Sequence, residues 1–186
     1  MTDYFRPAKQ FRGPGVGTKN NSVSHVSDTP SPFVQKPWNY WVFEVTNPVG
    51  VPAPGRLDIS TNKVITQIRK KVDIRDGVNI RIKVLRTEGW AMCGTELVLP
   101  RLQAQFFDLS PSRAAAQGFA RNNQASVGNW SEPAKCGYDY PEVDRRQILS
   151  STTGTANDIV ICSYTGIEVG TQVTARVYCV WQSGDH

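Results

Sequence analysis

Apolar and polar residues alternate along most of the chain from residue 38 onward. A period of two over five or more residues is the signature of a strand with one buried face. The alternation therefore predicts a series of strands, separated by turn signals such as Asn47-Pro48 and Asp76-Gly77. The predicted strands lie at residues 40–45, 71–75, 78–84, 95–107, 159–164 and 173–181, the fourth of them interrupted by Pro100.

Three segments do not follow this alternation. Residues 1–37 are rich in Gly, Pro, Ser and Asn and show no period, which indicates an N-terminal arm. Residues 110–122 contain a run of alanines after Ser110 or Ser112 as a cap, which predicts a short helix. Residues 123–146 are polar, and we expect a long connection there. Seven or eight strands with one short helix predict an antiparallel sandwich or jelly roll over residues 38–186.

The length and composition favour one soluble domain. The chain has 186 residues, of which 39% are hydrophobic and 20% charged, enough apolar side chain for a core and too much for global disorder. No run reaches the roughly 18 apolar residues of a membrane span. The segment MTDYFRPAKQFRG has no apolar signal-peptide stretch, so we expect a soluble, non-secreted protein.

The side chains that many enzymes use as bases or metal ligands are scarce. Histidine occurs only at His25 and His186, which leaves almost nothing for a catalytic triad. The cysteines are widely spaced and contain no CxxC pair, so a zinc site is not expected. We expect no enzymatic activity and four reduced, mostly buried thiols. These are Cys93, Cys136, Cys162 and Cys179.

Positive charge concentrates between residues 56 and 86. The formal net charge is +5, and this segment holds nine of the 21 basic residues. A hairpin over residues 69–83 with a two-residue turn gives two mixed faces, whereas a three-residue turn with Gly77 in the left-handed position gives one apolar and one basic face. Directly opposed like charges destabilise a sheet unless an anion lies over them, so the basic face indicates a bound polyanion. The alternative is a basic face that is only solvated. The opposed pairs in this register are Lys71–Arg81 and Arg69–Lys83.

The N-terminal arm is also basic. It holds five Lys or Arg residues against two aspartates. It is either a tail without a binding role or an arm that follows nucleic acid or a neighbouring subunit. Taken with the 56–86 segment, the candidate nucleic-acid-binding residues are Arg6, Lys9, Arg12, Lys19, Arg69, Lys70, Lys71, Arg81 and Lys83.

The order of elements resembles a known family. A polar arm precedes the strands, an Ala-rich segment follows QFFDLS, and the chain closes with NDIVICSYTGIEVGTQVTARVYCVWQ. An ending of the type VGTxVxxRVxxVW resembles that of single jelly-roll coat proteins of small icosahedral RNA viruses, of the plant-virus or satellite-virus type. The resemblance covers about residues 38–182, and the arm departs from the family because it lacks a dense arginine run.

The resemblance implies an all-β fold: an antiparallel jelly-roll β-sandwich with one short helix and an extended N-terminal arm. It implies self-assembly of many copies into an icosahedral shell and packaging of viral RNA. It also implies a virion location after assembly in the host cytoplasm, with neither a membrane nor a small-molecule substrate as a partner.

Aromatic side chains in predicted loops and strand ends suggest subunit contacts, because aromatics anchor protein interfaces. The alternative function is a monomeric β-sandwich binding module for a carbohydrate or protein ligand, in which Trp130, Tyr138 and Tyr140 form a stacking platform. The candidates are Trp38, Trp130, Tyr138 and Tyr140, whereas Trp41, Trp90 and Trp181 follow strand patterns and are expected in the core.

A small acidic cluster lies beside Tyr138 and Tyr140 in the sequence. Asp139, Glu142 and Asp144 are the oxygen ligands that calcium prefers, so a calcium ion at a subunit interface is one interpretation. A solvated acidic loop is the other. Calcium is the one cofactor that the sequence suggests.

Overall fold

A computed structural model of the chain describes residues 37–47, 55–93, 99–110, 120–129, 131–150, 158–166, 168 and 170–184. The described residues from Trp38 onward belong to one compact unit. The arm residues before position 37 lie outside the described part.

The described residues of this unit form nine strands and two helices. The strands are β1 (Asn39–Thr46), β2 (Gly55–Ser60), β3 (Asn79–Cys93), β4 (Arg101–Phe107), β5 (Ala120–Val127), β6 (Ala134–Asp139), β7 (Leu149–Ser150), β8 (Val160–Gly166) and β9 (Thr171–Gly184). The helices are α1 (Thr61–Val72) and α2 (Glu142–Arg145).

The strands form two antiparallel sheets. In the first sheet the order is β1-β9-β3-β6, and β7 pairs with β3 off this path. In the second sheet the order is β2-β8-β4-β5. The chain moves repeatedly from one sheet to the other, so sequence neighbours such as β1 and β2 lie in different layers. This arrangement is a jelly roll, and it confirms the expected fold class.

Strand alternation builds a single core between the sheets. Along β9 the residues from Val173 to Trp181 alternate between buried and partly exposed positions, as the sequence predicts. The Phe106 ring meets the Tyr164 ring edge-on, with 5.9 Å between their centroids. Three of the four free cysteines are buried in this core, and burial raises the pKa of Cys136 to about 11 and that of Cys179 to about 12.

Helix α1 corrects the expected hairpin over residues 69–83. Val64, Ile65 and Ile68 are buried, and their spacing of one and three residues is that of a helix face packed on a core. The helix ends at Asp73, whose φ of 54° is left-handed and breaks any strand through 71–75. Because only β3 is a strand here, the opposed pairs of basic residues do not form.

Residues 120–146 correct two further expectations. The predicted helix extended to residue 122, but Ala120–Asn122 begin strand β5, and residues 111–119 lie outside the described part. The expected polar connection holds the rest of β5, then β6 and α2. The alternation of β6 is only six residues long, and β5 carries polar side chains on both faces, so neither strand has a strong apolar signal.

No helix in the described part of the chain is long and apolar enough to cross a membrane.

Candidate nucleic-acid interface

Strand β3 contributes basic side chains to the outer face of the first sheet. Ile82 and Val84 are buried, so Arg81 and Lys83 lie on the opposite, outward side of the strand. The pairing of β3 with β9 shifts between Val84 and Arg86, so Leu85 is an extra residue in β3. This bulge changes the parity of the strand and keeps Arg86 on the same side as Lys83.

Neighbouring strands continue this face. Tyr178 of β9 lies opposite Arg86, and Lys135 of β6 lies opposite Trp90. Arg176 lies two residues from Tyr178 on the same side of β9. We name this surface the cationic face, defined by Arg81, Lys83, Arg86, Trp90, Lys135, Arg176 and Tyr178.

Cations on this face lie over aromatic rings. The Nζ atom of Lys83 is 4.4 Å from the centroid of the Trp38 ring. The guanidinium carbon of Arg176 is 4.8 Å from the Trp90 ring centroid. That of Arg86 is 5.9 Å from the Tyr178 ring centroid. Interleaved aromatic and basic side chains are the pattern with which proteins hold single-stranded nucleic acid.

Three carboxylates reduce the charge of the cationic face without cancelling it. Arg176 pairs with Glu44, and Arg86 lies 3.2 Å from Glu88 and 3.8 Å from Asp139. Five cations against three carboxylates leave a net of two positive charges. Within the described residues, none of the three remaining cations pairs with a carboxylate; they are Arg81, Lys83 and Lys135.

Glu88 is held in place by two partners. Tyr178 donates a hydrogen bond from its hydroxyl to Oε1, while Arg86 pairs with Oε2. The bond to this carboxylate is the main cause of the raised pKa of Tyr178. The charge of Glu88 is therefore directed toward groups of its own face.

The outer face of the second sheet has a different character. Gln103, Gln105 and Asn123 are exposed there. Arg56 is paired with Asp58 at 2.7 Å, and Arg101 with Glu168 at 3.7 Å. Of the two outer faces, the cationic face is therefore the better match for a polyanion.

The structure separates the predicted basic residues. Arg81 and Lys83 lie on the cationic face, whereas Lys70 and Lys71 are exposed on the last turn of α1. Arg69 is partly buried and donates to the Val78 carbonyl at 2.8 Å, so it holds the turn between α1 and β3. The arm candidates, Arg6, Lys9, Arg12 and Lys19, lie outside the described residues, and their role stays a prediction.

Sequence reasoning missed five members of the cationic face. Arg176 and Tyr178 alternate with buried residues of β9, so the pattern contained their signal. The outward position of Arg86 depends on the bulge and was not predicted. Lys135 was missed because residues 123–146 were interpreted as a connection, whereas it lies in strand β6. The expectation that Trp90 lies in the core is wrong, because this residue lies on the outward side of β3, between buried Gly89 and Ala91.

Two of the predicted interface aromatics pack within the chain. Tyr140 is 1% exposed and donates to the Ile161 carbonyl at 2.6 Å, which corrects its assignment to an interface. Tyr138 stacks on Phe106 with 5.1 Å between ring centroids. A stacking platform for a carbohydrate therefore loses Tyr140. Trp38 contacts Lys83, and its interface role stays a prediction; Trp130 lies outside the described residues.

The three candidate calcium ligands each face an arginine. Asp139 lies between Arg86 and Arg145, at 3.8 and 3.9 Å. Glu142 pairs with Arg146, and Asp144 is 2.8 Å from Arg121. Within the described residues no group of three His, Cys, Asp or Glu side chains is placed to hold a metal ion. The calcium site therefore has no support in this geometry.

Comparisons with known proteins find solved structures with a similar fold. No family model and no curated protein matches the sequence. The chain is similar to a chain in the structure of the virus-like particle of the giant freshwater prawn Macrobrachium rosenbergii extra small virus. The two are 12% identical, with a TM-score of 0.52, over 84% of this chain and 87% of that one. Desmodium yellow mottle tymovirus gives 11% identity and a TM-score of 0.48, over 84% and 86% of the two chains.

Proposed function

We propose that this chain is the coat protein of a small icosahedral RNA virus, with a structural and not an enzymatic role. The observation that carries the proposal is the jelly roll, which resembles the chain of a virus-like particle over 84% of its length. In this role many copies form the shell, and the protein is located in the virion after assembly in the host cytoplasm.

Self-association is supported by apolar side chains that one copy leaves in water. Strand β1 is at the edge of its sheet and pairs with β9 on one side. On this strand Tyr40 is 60% exposed and Val42 is 37% exposed. Exposed strand edges with apolar side chains favour association with another chain. Leu99, two residues before β4, and Val127, at the end of β5, are further exposed apolar side chains.

RNA packaging is supported by the cationic face. Its net positive charge suits a phosphate backbone, and release of counterions provides a driving force that does not depend on sequence. The exposed Lys70 and Lys71 on α1 and the basic residues of the arm are further proposed RNA contacts. In the proposed shell the cationic face is directed toward the RNA.

Paired charge removal on the two outer faces tests this assignment. The variant Arg81→Gln/Lys83→Gln removes two charges from the cationic face, and Arg56→Gln/Arg101→Gln removes two from the opposite face. We expect the first to lower the RNA content of particles and to reduce the slope of log affinity against log salt by about 1.4, or about 0.7 per lost phosphate contact. The second leaves both unchanged. Equal losses in the two variants contradict the assigned face.

A further inference from the structure

A groove of about 490 Å³ opens on the cationic face between β3 and β6. Its floor includes Gly89, Cys136 and Gly137. Its walls include an aromatic ring and three cations, contributed by Trp90, Arg86, Lys135 and Arg176. Ligand sites of small molecules fall in the range of about 300–1,000 Å³, so the groove is large enough for one nucleotide.

Residue 137 lines the groove without contributing a side chain to it. Gly137 occupies an exposed, outward position of β6, directly opposite Glu88. A Cβ atom there would lie 3.4 Å from the Thr87 carbonyl oxygen and 3.6 Å from the Glu88 Cβ. These are ordinary contact distances, so a side chain fits at this position and would occupy the space above the floor.

The backbone of the floor is already satisfied. The Gln124 side chain donates to the Gly137 carbonyl at 2.9 Å and accepts from the Gly137 N–H at 3.1 Å. A ligand in the groove therefore gains little from the floor and must be held by its walls. The walls determine which chemistry fits.

The walls combine a flat apolar surface with positive charge. Arg176 lies over the Trp90 ring, which makes a stacked aromatic and guanidinium surface. Glu88, which lines the groove, is engaged by Arg86 and Tyr178, and Arg176 and Arg86 also pair with Glu44 and Asp139 beside it. Lys135 is the wall cation without a carboxylate partner among the described residues. A nucleobase is flat with apolar faces, and its phosphates are anionic, so a nucleotide matches both properties.

We propose that this groove binds one nucleotide of an RNA single strand, with the base against Trp90 and Arg176 and the phosphates at Arg86 and Lys135. The site deepens the proposed packaging function, on which it rests, because it adds a base contact to the charge contacts. Stacking accepts any base, so the site suits packaging of a whole genome without a fixed sequence.

Two labelled oligomers separate base contact from charge contact. The full-length protein is titrated, in a fluorescence anisotropy assay, into a ten-nucleotide oligoadenylate and into an abasic ribose-phosphate oligomer of the same length. We expect the wild type to bind the oligoadenylate about tenfold more tightly, the size of one stacked base. Trp90→Leu and Gly137→Leu, the latter filling the groove, both lower this ratio to about one and leave the affinity for the abasic oligomer unchanged.

Two control variants keep the ratio at its wild-type value. Val143→Ala removes an exposed apolar side chain of α2, and Gln105→Leu replaces an exposed polar side chain on the outer face of the second sheet; neither residue lines the groove. Circular dichroism checks that each variant is folded, and Trp90→Leu carries the test if Gly137→Leu is not.

The outcomes distinguish the groove from the proposed function. A wild-type ratio of one, or a ratio that folded Trp90→Leu leaves unchanged, overturns the nucleotide site while RNA binding by charge stands. Failure of the wild type to bind either oligomer overturns RNA packaging and the nucleotide site together.

Discussion

The side-chain amide of Gln124 in β5 is bonded at both ends to the backbone of Gly137 in β6. β5 is the edge of one sheet and β6 the edge of the other, so this contact closes one side of the sandwich. Nearby, the Ser126 hydroxyl accepts from the Lys135 N–H at 3.0 Å. Polar side chains of β5 thus bond backbone groups on the side of β6 that does not pair with β3.

Loss of the hydrogen bonds between Gln124 and Gly137 is expected to lower the stability of the fold and to expose the edge of β6. Gln124→Leu removes both bonds to Gly137, and we expect the free energy of unfolding to fall by about 1–3 kcal/mol, with increased aggregation. The control is Gln105→Leu, an exposed glutamine on the outer face of the same sheet. Denaturant unfolding measures both variants, and an equal effect in the two contradicts the closing role of Gln124.

Gly89 marks a close approach between the two sheets. A Cβ atom at this position would lie 2.5–2.9 Å from three atoms of the Tyr164 ring. The buried ring has little room to move, so we expect Gly89→Ala to destabilise the fold by about 1–3 kcal/mol. Thermal unfolding measures this change against Gly137→Ala, whose new atom meets only ordinary contacts. A Gly89→Ala variant as stable as Gly137→Ala contradicts the packing described.

Asp144 gives a pH dependence with a definite sign. Its side chain is 1% exposed beside Arg121, and desolvation raises its pKa, with Asp108 adding to the rise and Arg121 opposing it. A carboxyl group with a raised pKa in the folded state contributes more stability as the pH falls, fully so below the unfolded pKa, and loses this contribution as the pH rises through the folded pKa.

The variant Asp144→Asn tests this sign. We expect the difference in unfolding free energy between wild type and variant to shift in favour of the wild type when the pH falls from 7 to about 4. Glu142→Gln, on the same helix and 76% exposed, serves as the control for a general charge effect. A difference that is constant with pH, or shifts the other way, contradicts the raised pKa of Asp144.

The sequence predicted the strands whose two faces differ most. From Val173 to Trp181 every second residue is buried, and the pattern fixed β9 and its register with the core. It failed where a local coincidence imitated a strand: Val72 and Ile74 alternate, but a left-handed residue lies between them. The helical spacing of Val64, Ile65 and Ile68 was the signal that identifies α1.

The candidate site was predicted in part for a related reason. Arg81 and Lys83 follow a simple alternation, so the sequence placed them on the polar side of β3. The bulge at Leu85 depends on pairing with β9, and no local pattern reveals it. Trp90 looks like a core residue by its type, and its outward position follows from that same shift in parity.

The molar mass of the purified full-length protein, measured by light scattering with and without added RNA, tests the coat-protein account most directly. The account predicts a particle of megadalton mass that contains RNA. A species of 20.6 kDa that persists at high concentration under both conditions contradicts it.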